Sequence, residues 1–224
     1  MADSHKSDQP FPPGSVPKAV VGRLSLYLRE LQRLVRDNHE TTSSTQIGKL
    51  LGFTDAQVRK DLAYFGQFGY PGIGYRCVEL IVEIKSILGT DRDWPIALVG
   101  IGNLGRALLG YKGFNRQGFR IVAAFDLDRE KVGKTIGGLV VHGMDELPAI
   151  ASEQSIKMAM LSVPAEAAQP VADRLVEAGI TGILNFAPVT LSLPPGVDAE
   201  GVDLAIELEQ LSFAVINKRL SASP

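Results

Sequence analysis

Cysteine is nearly missing from this chain: Cys77 stands alone in 224 residues. That excludes an internal disulfide, a CxxC pair and any cysteine-rich zinc site, and a lone cysteine reads first as a small core residue. Histidine is almost as scarce, with only His5, His39 and His142. No run of about 18 uncharged apolar residues occurs. The opening MADSHKSDQPFPPG has no apolar signal region, so neither a membrane span nor export is expected, and a cytoplasmic protein is.

Excess charge is also lacking, since the net charge is only −2. The balance is uneven along the chain. Residues 15–76 carry nine Lys and Arg against five acids, whereas residues 77–224 carry thirteen against eighteen. A basic front on an acidic back fits a polyanionic partner for the front alone, although solvated helix faces give similar counts.

What is present suggests several segments. Residues 1–14, with Pro10, Pro12, Pro13 and Gly14, read as a disordered tail. Pro17 opens a helix to about Asn38, on which Val20, Leu24, Leu28, Leu31 and Val35 recur at steps of three or four. Ser43 with Gln46, then Thr54 with Gln57, repeat a capping-box spacing on either side of Gly52-Phe53, the pattern of a helix-turn-helix.

On the third helix Val58, Leu62 and Phe65 share one face, and Ala56, Arg59, Lys60, Ala63 and Tyr64 the opposite one. Small residues between cations suit close approach to another surface, and a solvated face has the same composition. GQFGYPGIGYRCV then predicts a short β-hairpin with a Pro-Gly turn, which would complete a winged helix. Val78, Leu80, Ile81, Ile84, Ile87 and Leu88 make one more helix, closing at Gly89.

From Pro95 the pattern alternates strand and helix: IALVG, RIVAAF, LVVH, KMAMLSV and, as a final core strand, ITGILNF. This predicts a small Rossmann-type parallel sheet. The run Gly100-Ile101-Gly102-Asn103-Leu104-Gly105 follows the first strand and opens a helix, the arrangement that holds a pyrophosphate on free N–H groups. Asp126 ends the second strand, where a carboxylate can take the ribose hydroxyls and favour NAD over NADP; Arg129 and Lys131 nearby weaken that preference.

Chemistry on a bound nicotinamide is not indicated. His5 lies in the tail, His39 in the basic segment and His142 on a short strand, while no tyrosine is followed by lysine four residues later. No GxSxG motif or metal-ligand cluster occurs either. From the residues alone an NAD-dependent oxidoreductase with a small accessory domain stays open. So does a nucleotide- or CoA-binding interaction module without DNA.

The final helix, from Asp203 to about Leu220, has Leu204, Leu208, Leu211 and Val215 on one stripe and Ile206, Phe213 and Leu220 nearly opposite. A terminal surface helix needs one apolar stripe, and the second implies a covering subunit, hence a homodimer.

VRKDLAYFG, GYPGIGY, VGIGNLG, AFDLD, LSVPAEAAQ, GILNFAP and VDLAIELEQLSFAVIN, in this order, resemble the Rex family of redox-sensing transcriptional repressors. The resemblance runs from about Pro17 to Leu220. It implies an α/β chain with a winged-helix DNA-binding domain (15–89), a Rossmann NAD(H)-binding domain (90–202) and a domain-swapped dimerisation helix (203–224). It further implies a homodimer that binds an inverted-repeat operator of respiratory and fermentative genes when free or with NAD+, and is released by NADH.

By that resemblance Gly100 to Gly105 hold the pyrophosphate and Asp126 the adenosine ribose. Pro164, Asn185, Phe186, Ala187 and Pro188 line the nicotinamide side. Arg59, Lys60 and Tyr64 meet DNA, and Tyr111, Asp203 and Arg29 exchange contacts between states. The wing tip Tyr70-Pro71-Gly72-Ile73 lacks the cation many members carry there, which leaves Arg76 to reach a phosphate.

Overall fold

The computed structural model describes residues 16–221, with side chains through 217. The expected tail 1–14, His5 within it and the side chain of Leu220 lie outside the described residues. The chain forms two compact units that divide at Arg92/Asp93.

The first unit begins with α1 (Lys18–Arg36), which buries Val20, Leu24, Tyr27, Leu28, Leu31 and Leu34. The buried stripe therefore takes Leu34, and the expected Val35 is only half-buried. After β1 (Thr41–Thr42), α2 (Ser44–Leu51) starts at the Ser43 cap, whose hydroxyl accepts the Gln46 N–H at 3.1 Å. Gly52 closes it at φ 77°, a left-handed turn that favours glycine. Next, α3 (Asp55–Ala63) is capped in the same way by Thr54 on the Gln57 N–H. Neither glutamine side chain reaches back to complete a capping box: Gln46 accepts from the Thr42 hydroxyl and Gln57 donates to Asp61.

The wing is smaller than expected. Its own hairpin is one bridge, Tyr70 to Gly74, around Pro71-Gly72. The following strand, β2 (Tyr75–Arg76), pairs instead with β1, antiparallel, Thr41 opposite Arg76. Glycines at 66, 69, 72 and 74 leave too few side chains to stabilise a longer ladder. The unit closes with α4 (Cys77–Leu88), ended by Gly89 at φ 68°. Here Val78, expected among the core residues, is 59% exposed, while Cys77, Leu80 and Ile84 are buried.

The second unit has α5 (Asn103–Gly110), α6 (Gly113–Arg116), α7 (Leu147–Glu153), α8 (Ala165–Glu177) and α9 (Leu204–Ser221) around a seven-stranded sheet. Its strands are β3 (Trp94–Val99), β4 (Phe119–Asp126), β5 (Thr135–Ile136), β6 (Leu139–Gly143), β7 (Met158–Leu161), β8 (Gly182–Asn185) and β9 (Asp198–Gly201). They lie in the order β5-β6-β4-β3-β7-β8-β9, all neighbours parallel except the β5–β6 edge pair. Without the edge strand β5 this is the 3-2-1-4-5-6 order of a dinucleotide-binding fold.

Alternation along β3 separates two cores. Ala97 and Val99 pack with Leu147, Ala168, Val171 and Leu175 on one face, whereas Ile96 and Leu98 meet Leu108, Leu109 and Phe114 on the other. Both faces are covered, as a parallel sheet requires. The expectation that ITGILNF would be the final strand is corrected by β9. Its sequence Asp-Ala-Glu-Gly is exposed throughout and has no apolar alternation to mark it, and backbone pairing with β8 holds it in place.

Candidate functional site

The strand order reverses between β3 and β7, and the glycine loop lies at the carboxyl ends of these strands. Gly100 turns the chain at φ 94°, and a Cβ there would strike the Ser162 carbonyl; one on Gly105 would strike the Gly100 carbonyl. The Ser162 hydroxyl, just beyond β7, donates to the Gly100 carbonyl at 2.8 Å and ties the two strand ends together. Sequence reasoning missed Ser162, although it sits in the LSVP string.

Gly102 differs from its neighbours. It is the N-cap of α5, and nothing in the chain lies within 4 Å of where its Cβ would stand. A ligand phosphate can therefore approach the backbone there and meet the first-turn N–H groups of α5, which have no intrahelical acceptor. Asn103 and Leu104 face solvent beside it, and Ile101 is buried beneath.

Asp126, at the end of β4, is only 7% exposed. Its carboxylate accepts the Ile101 N–H at 2.7 Å, the Asp128 N–H at 2.9 Å and the Lys131 ammonium at 3.0 Å. Burial pushes its pKa up, but these three donors outweigh burial and hold it below the usual carboxylate range. The strand end that would receive a ribose is thus wired to the loop that would receive the phosphates.

Pro164 follows β7 as the exposed N-cap of α8, and Asn185 ends β8, so both lie on the same carboxyl edge as the glycine loop. Asn185 is 3% exposed; its side chain accepts the Ala187 N–H at 2.9 Å and donates to the Val189 carbonyl at 2.8 Å. Its amide shapes the loop. Ala187 is buried with it, leaving half-buried Phe186 and exposed Pro188 as the surface on offer.

Tyr111 caps the opposite end of α5, about 12 Å away by helix rise. It is 60% exposed and packs edge-on against Phe114 with centroids 4.8 Å apart. Within this chain it does not join the edge that carries Pro164 and Asn185. Asp203 accepts the Ala205 N–H at 2.8 Å and so caps α9. Arg29 is exposed on α1 in the first unit.

In the first unit Ala56, Arg59, Lys60, Ala63 and Tyr64 are all exposed, while Val58 and Leu62 are buried and Phe65 half-buried. Arg59 is held, pairing with Asp55 at 2.8 Å and donating to Ser44 at 3.2 Å. Behind this face sits Asp61, buried and bonded to Arg23, Tyr27 and Gln57, a role that a pairing across 38 positions with Arg23 concealed. Arg76 pairs with Glu79 at 3.1 Å and lies over the Tyr70 ring at 5.2 Å, and the Tyr70 hydroxyl donates to the same Glu79 carboxylate.

Residues 15–63 match a family model described as the putative DNA-binding protein N-terminus, and residues 91–189 one described as a CoA binding domain. The chain is 46% identical over 199 residues to the redox-sensing transcriptional repressor Rex of Syntrophobacter fumaroxidans, covering 88% of this chain and 95% of that protein. The chain belongs to the Rex family.

The Rex protein of Desulfitobacterium hafniense is 47% identical over 204 residues, 91% of this chain and 97% of that one. Among solved structures, RSP in complex with β-NAD+ and operator DNA superposes with a TM-score of 0.86 at 35% identity, covering 92% of this chain and 94% of that one. RSP in complex with β-NADH gives 0.83 at 33% identity, covering 92% and 96%. These Rex relatives are repressors rather than enzymes, which turns the oxidoreductase reading aside. Among the described residues no group of His, Cys, Asp and Glu is arranged for a metal, and no helix is long and apolar enough to cross a membrane.

Proposed function

We propose that this chain is a cytoplasmic transcriptional repressor that reads the NADH/NAD+ ratio, binding operator DNA when free or with NAD+ and leaving it with NADH. The observation that carries this reading is the likeness over nearly the whole chain to a Rex-family repressor in complex with NAD+ and operator DNA. The 3-2-1-4-5-6 sheet with clear space at Gly102 supports a dinucleotide ligand. The exposed Arg59, Lys60 and Tyr64 on α3, with Arg76 beside the wing, support an inverted-repeat DNA partner.

A ligand moves DNA affinity only by its differential affinity for two states. NADH and NAD+ are identical at every atom that the glycine loop and Asp126 would touch, so the difference is read at the nicotinamide ring. The apolar surface of Pro164, Phe186 and Pro188 disfavours the cationic ring of NAD+ and accepts neutral NADH. Tyr111, Asp203 and Arg29 are the groups we assign to the change of state.

The chain acts as a homodimer through the swapped helix of residues 203–224, beyond the DNA-binding segment 15–89 and the cofactor segment 90–202. The exposed apolar faces of α9 support that assignment. The test is a gel-shift titration on an inverted-repeat operator from a respiratory or fermentative gene. NADH should dissociate the complex and excess NAD+ restore it; a complex indifferent to both dinucleotides would refute the reading.

A further inference from the structure

Asp126 does not have a free carboxylate to offer a ribose. A carboxylate has about four acceptor positions. Here Oδ1 takes the Asp128 N–H, and Oδ2 takes both the Ile101 N–H and the Lys131 ammonium. One acceptor position is left, and an adenosine ribose brings two hydroxyls. The second hydroxyl needs another partner, and the group placed to supply it is Lys131. Its Nζ lies 3.0 Å from Asp126 and 3.6 Å from Asp128, and its side chain remains 28% exposed, so of the three donors of the ammonium at least one is not taken by these carboxylates.

We propose that Lys131 is a specificity-determining residue of the dinucleotide site, forming with Asp126 a mixed acceptor–donor pair for the two hydroxyls of the adenosine ribose. One hydroxyl donates to Asp126, and the other accepts from Lys131. The pair also sets the charge at the 2′ position. Asp126 alone repels a 2′-phosphate, whereas a lysine bonded to it offsets part of that repulsion. Lys131 therefore strengthens NADH binding and at the same time narrows the margin by which NADPH is refused. Arg129, two residues earlier, is exposed and takes no such position at Asp126. The inference rests on the dinucleotide reading above.

The experiment uses the full chain and direct binding of NADH and NADPH, followed by nucleotide fluorescence, for the parent, Lys131→Met, Lys131→Arg and Asp126→Asn. Lys131→Met should weaken NADH about tenfold or more, the loss expected for a hydrogen bond from a charged donor. It should weaken NADPH by a larger factor still, so the preference for NADH widens. Lys131→Arg should retain most of the NADH affinity, and Asp126→Asn should shift preference toward NADPH.

NADH affinity within twofold of the parent in Lys131→Met would overturn the proposal, since Lys131 would then be a surface pair that the ribose displaces. Equal losses for both dinucleotides, with a lowered melting temperature, would assign Lys131 to loop stability alone and overturn it too. A parent chain that folds but binds neither dinucleotide would instead remove the functional reading itself, a result no lysine variant can mimic.

Discussion

The Arg23 guanidinium grips the Asp61 carboxylate at two points, Nε to Oδ2 at 2.6 Å and Nη2 to Oδ1 at 2.8 Å. The Asp61 side chain is closed to solvent, and that of Arg23 is 22% exposed. Tyr27 and Gln57 add their donors at 2.7 and 2.6 Å, so the carboxylate is surrounded by hydrogen-bond donors from α1 and α3. Asp61 immediately follows Lys60, so the network fixes the roll of α3 and with it the direction in which Arg59, Lys60 and Tyr64 point.

Asp61→Asn should therefore cost more than an ordinary surface change. Removing one member of a buried pair costs about 3 to 5 kcal/mol, and the partial exposure of Arg23 brings the expectation to about 2 to 3. Urea unfolding of the full chain, followed in its first unit, measures this. Operator affinity should fall as well, because α3 loses its anchor.

The pH dependence follows from the same carboxylates. Burial pushes Asp61 up, but the hydrogen bonds and charge of Arg23, with Tyr27 and Gln57, outweigh it, so the folded pKa is lowered. Asp126 is lowered as well. A depressed folded pKa stabilises above the unfolded value, about 4, and that stabilisation is lost as pH falls through the folded value. Stability should decline below about pH 4, and Asp61→Asn should flatten the part of the decline that belongs to the first unit. Tyr27 works in the opposite direction: burial and the bond to Asp61 raise its pKa, so its contribution holds below about pH 10 and fades above that.

The glycines of the loop separate by role. Gly105→Ala should destabilise the second unit, because its Cβ would collide with the Gly100 carbonyl; Gly102→Ala should not, because its Cβ meets nothing. A surface change of that kind stays within about 0.5 kcal/mol. Yet Gly102→Ala should weaken NADH binding strongly, since the added methyl occupies the space a pyrophosphate needs. Melting curves and NADH titrations on both variants should show stability and binding failing in different proteins.

Much of this was legible beforehand, for identifiable reasons. The glycine loop, Asp126 and the strand alternation are written in spacing, which backbone geometry dictates directly. Ser43 and Thr54 as caps are written equally plainly, because a cap needs only its neighbours. The bonds of Asp61 and Ser162 were hidden from spacing. Arg23 and Asp61 lie 38 positions apart, and Ser162 and Gly100 62, so only the fold reveals the pairings. Strand β9 was invisible because hydrogen bonds to β8 hold it, with no apolar pattern of its own.

Glu79 restrains the wing, accepting from both Arg76 and Tyr70. Glu79→Gln should free Arg76 for a phosphate and remove a negative charge from the proposed DNA face. Operator affinity should rise modestly, and the salt dependence should steepen by about one charge. Lys60→Ala should do the reverse, flattening the slope by a similar amount. Unchanged slopes in both variants would place the backbone contacts elsewhere.

The two apolar stripes of the last helix, α9, call for a covering subunit. Within the chain Leu204, Leu208, Leu211 and Val215 are 70, 65, 59 and 46% exposed, and Ile206 and Phe213 on the opposite side are 50 and 69%. Among the described side chains neither stripe is buried within the chain, so substitution on either should spare the intrachain fold. Both are available to one surrounding partner, which is what a helix inserted into a second copy requires. Leu211→Glu and Phe213→Glu, one on each stripe, should each raise the dimer dissociation constant at least about a hundredfold, because an unpaired carboxylate in an apolar interface costs several kcal/mol. Sedimentation equilibrium measures it. A dimer lost with Leu211→Glu but kept with Phe213→Glu would mean that only one face is covered, as in simple side-by-side packing rather than an exchanged helix.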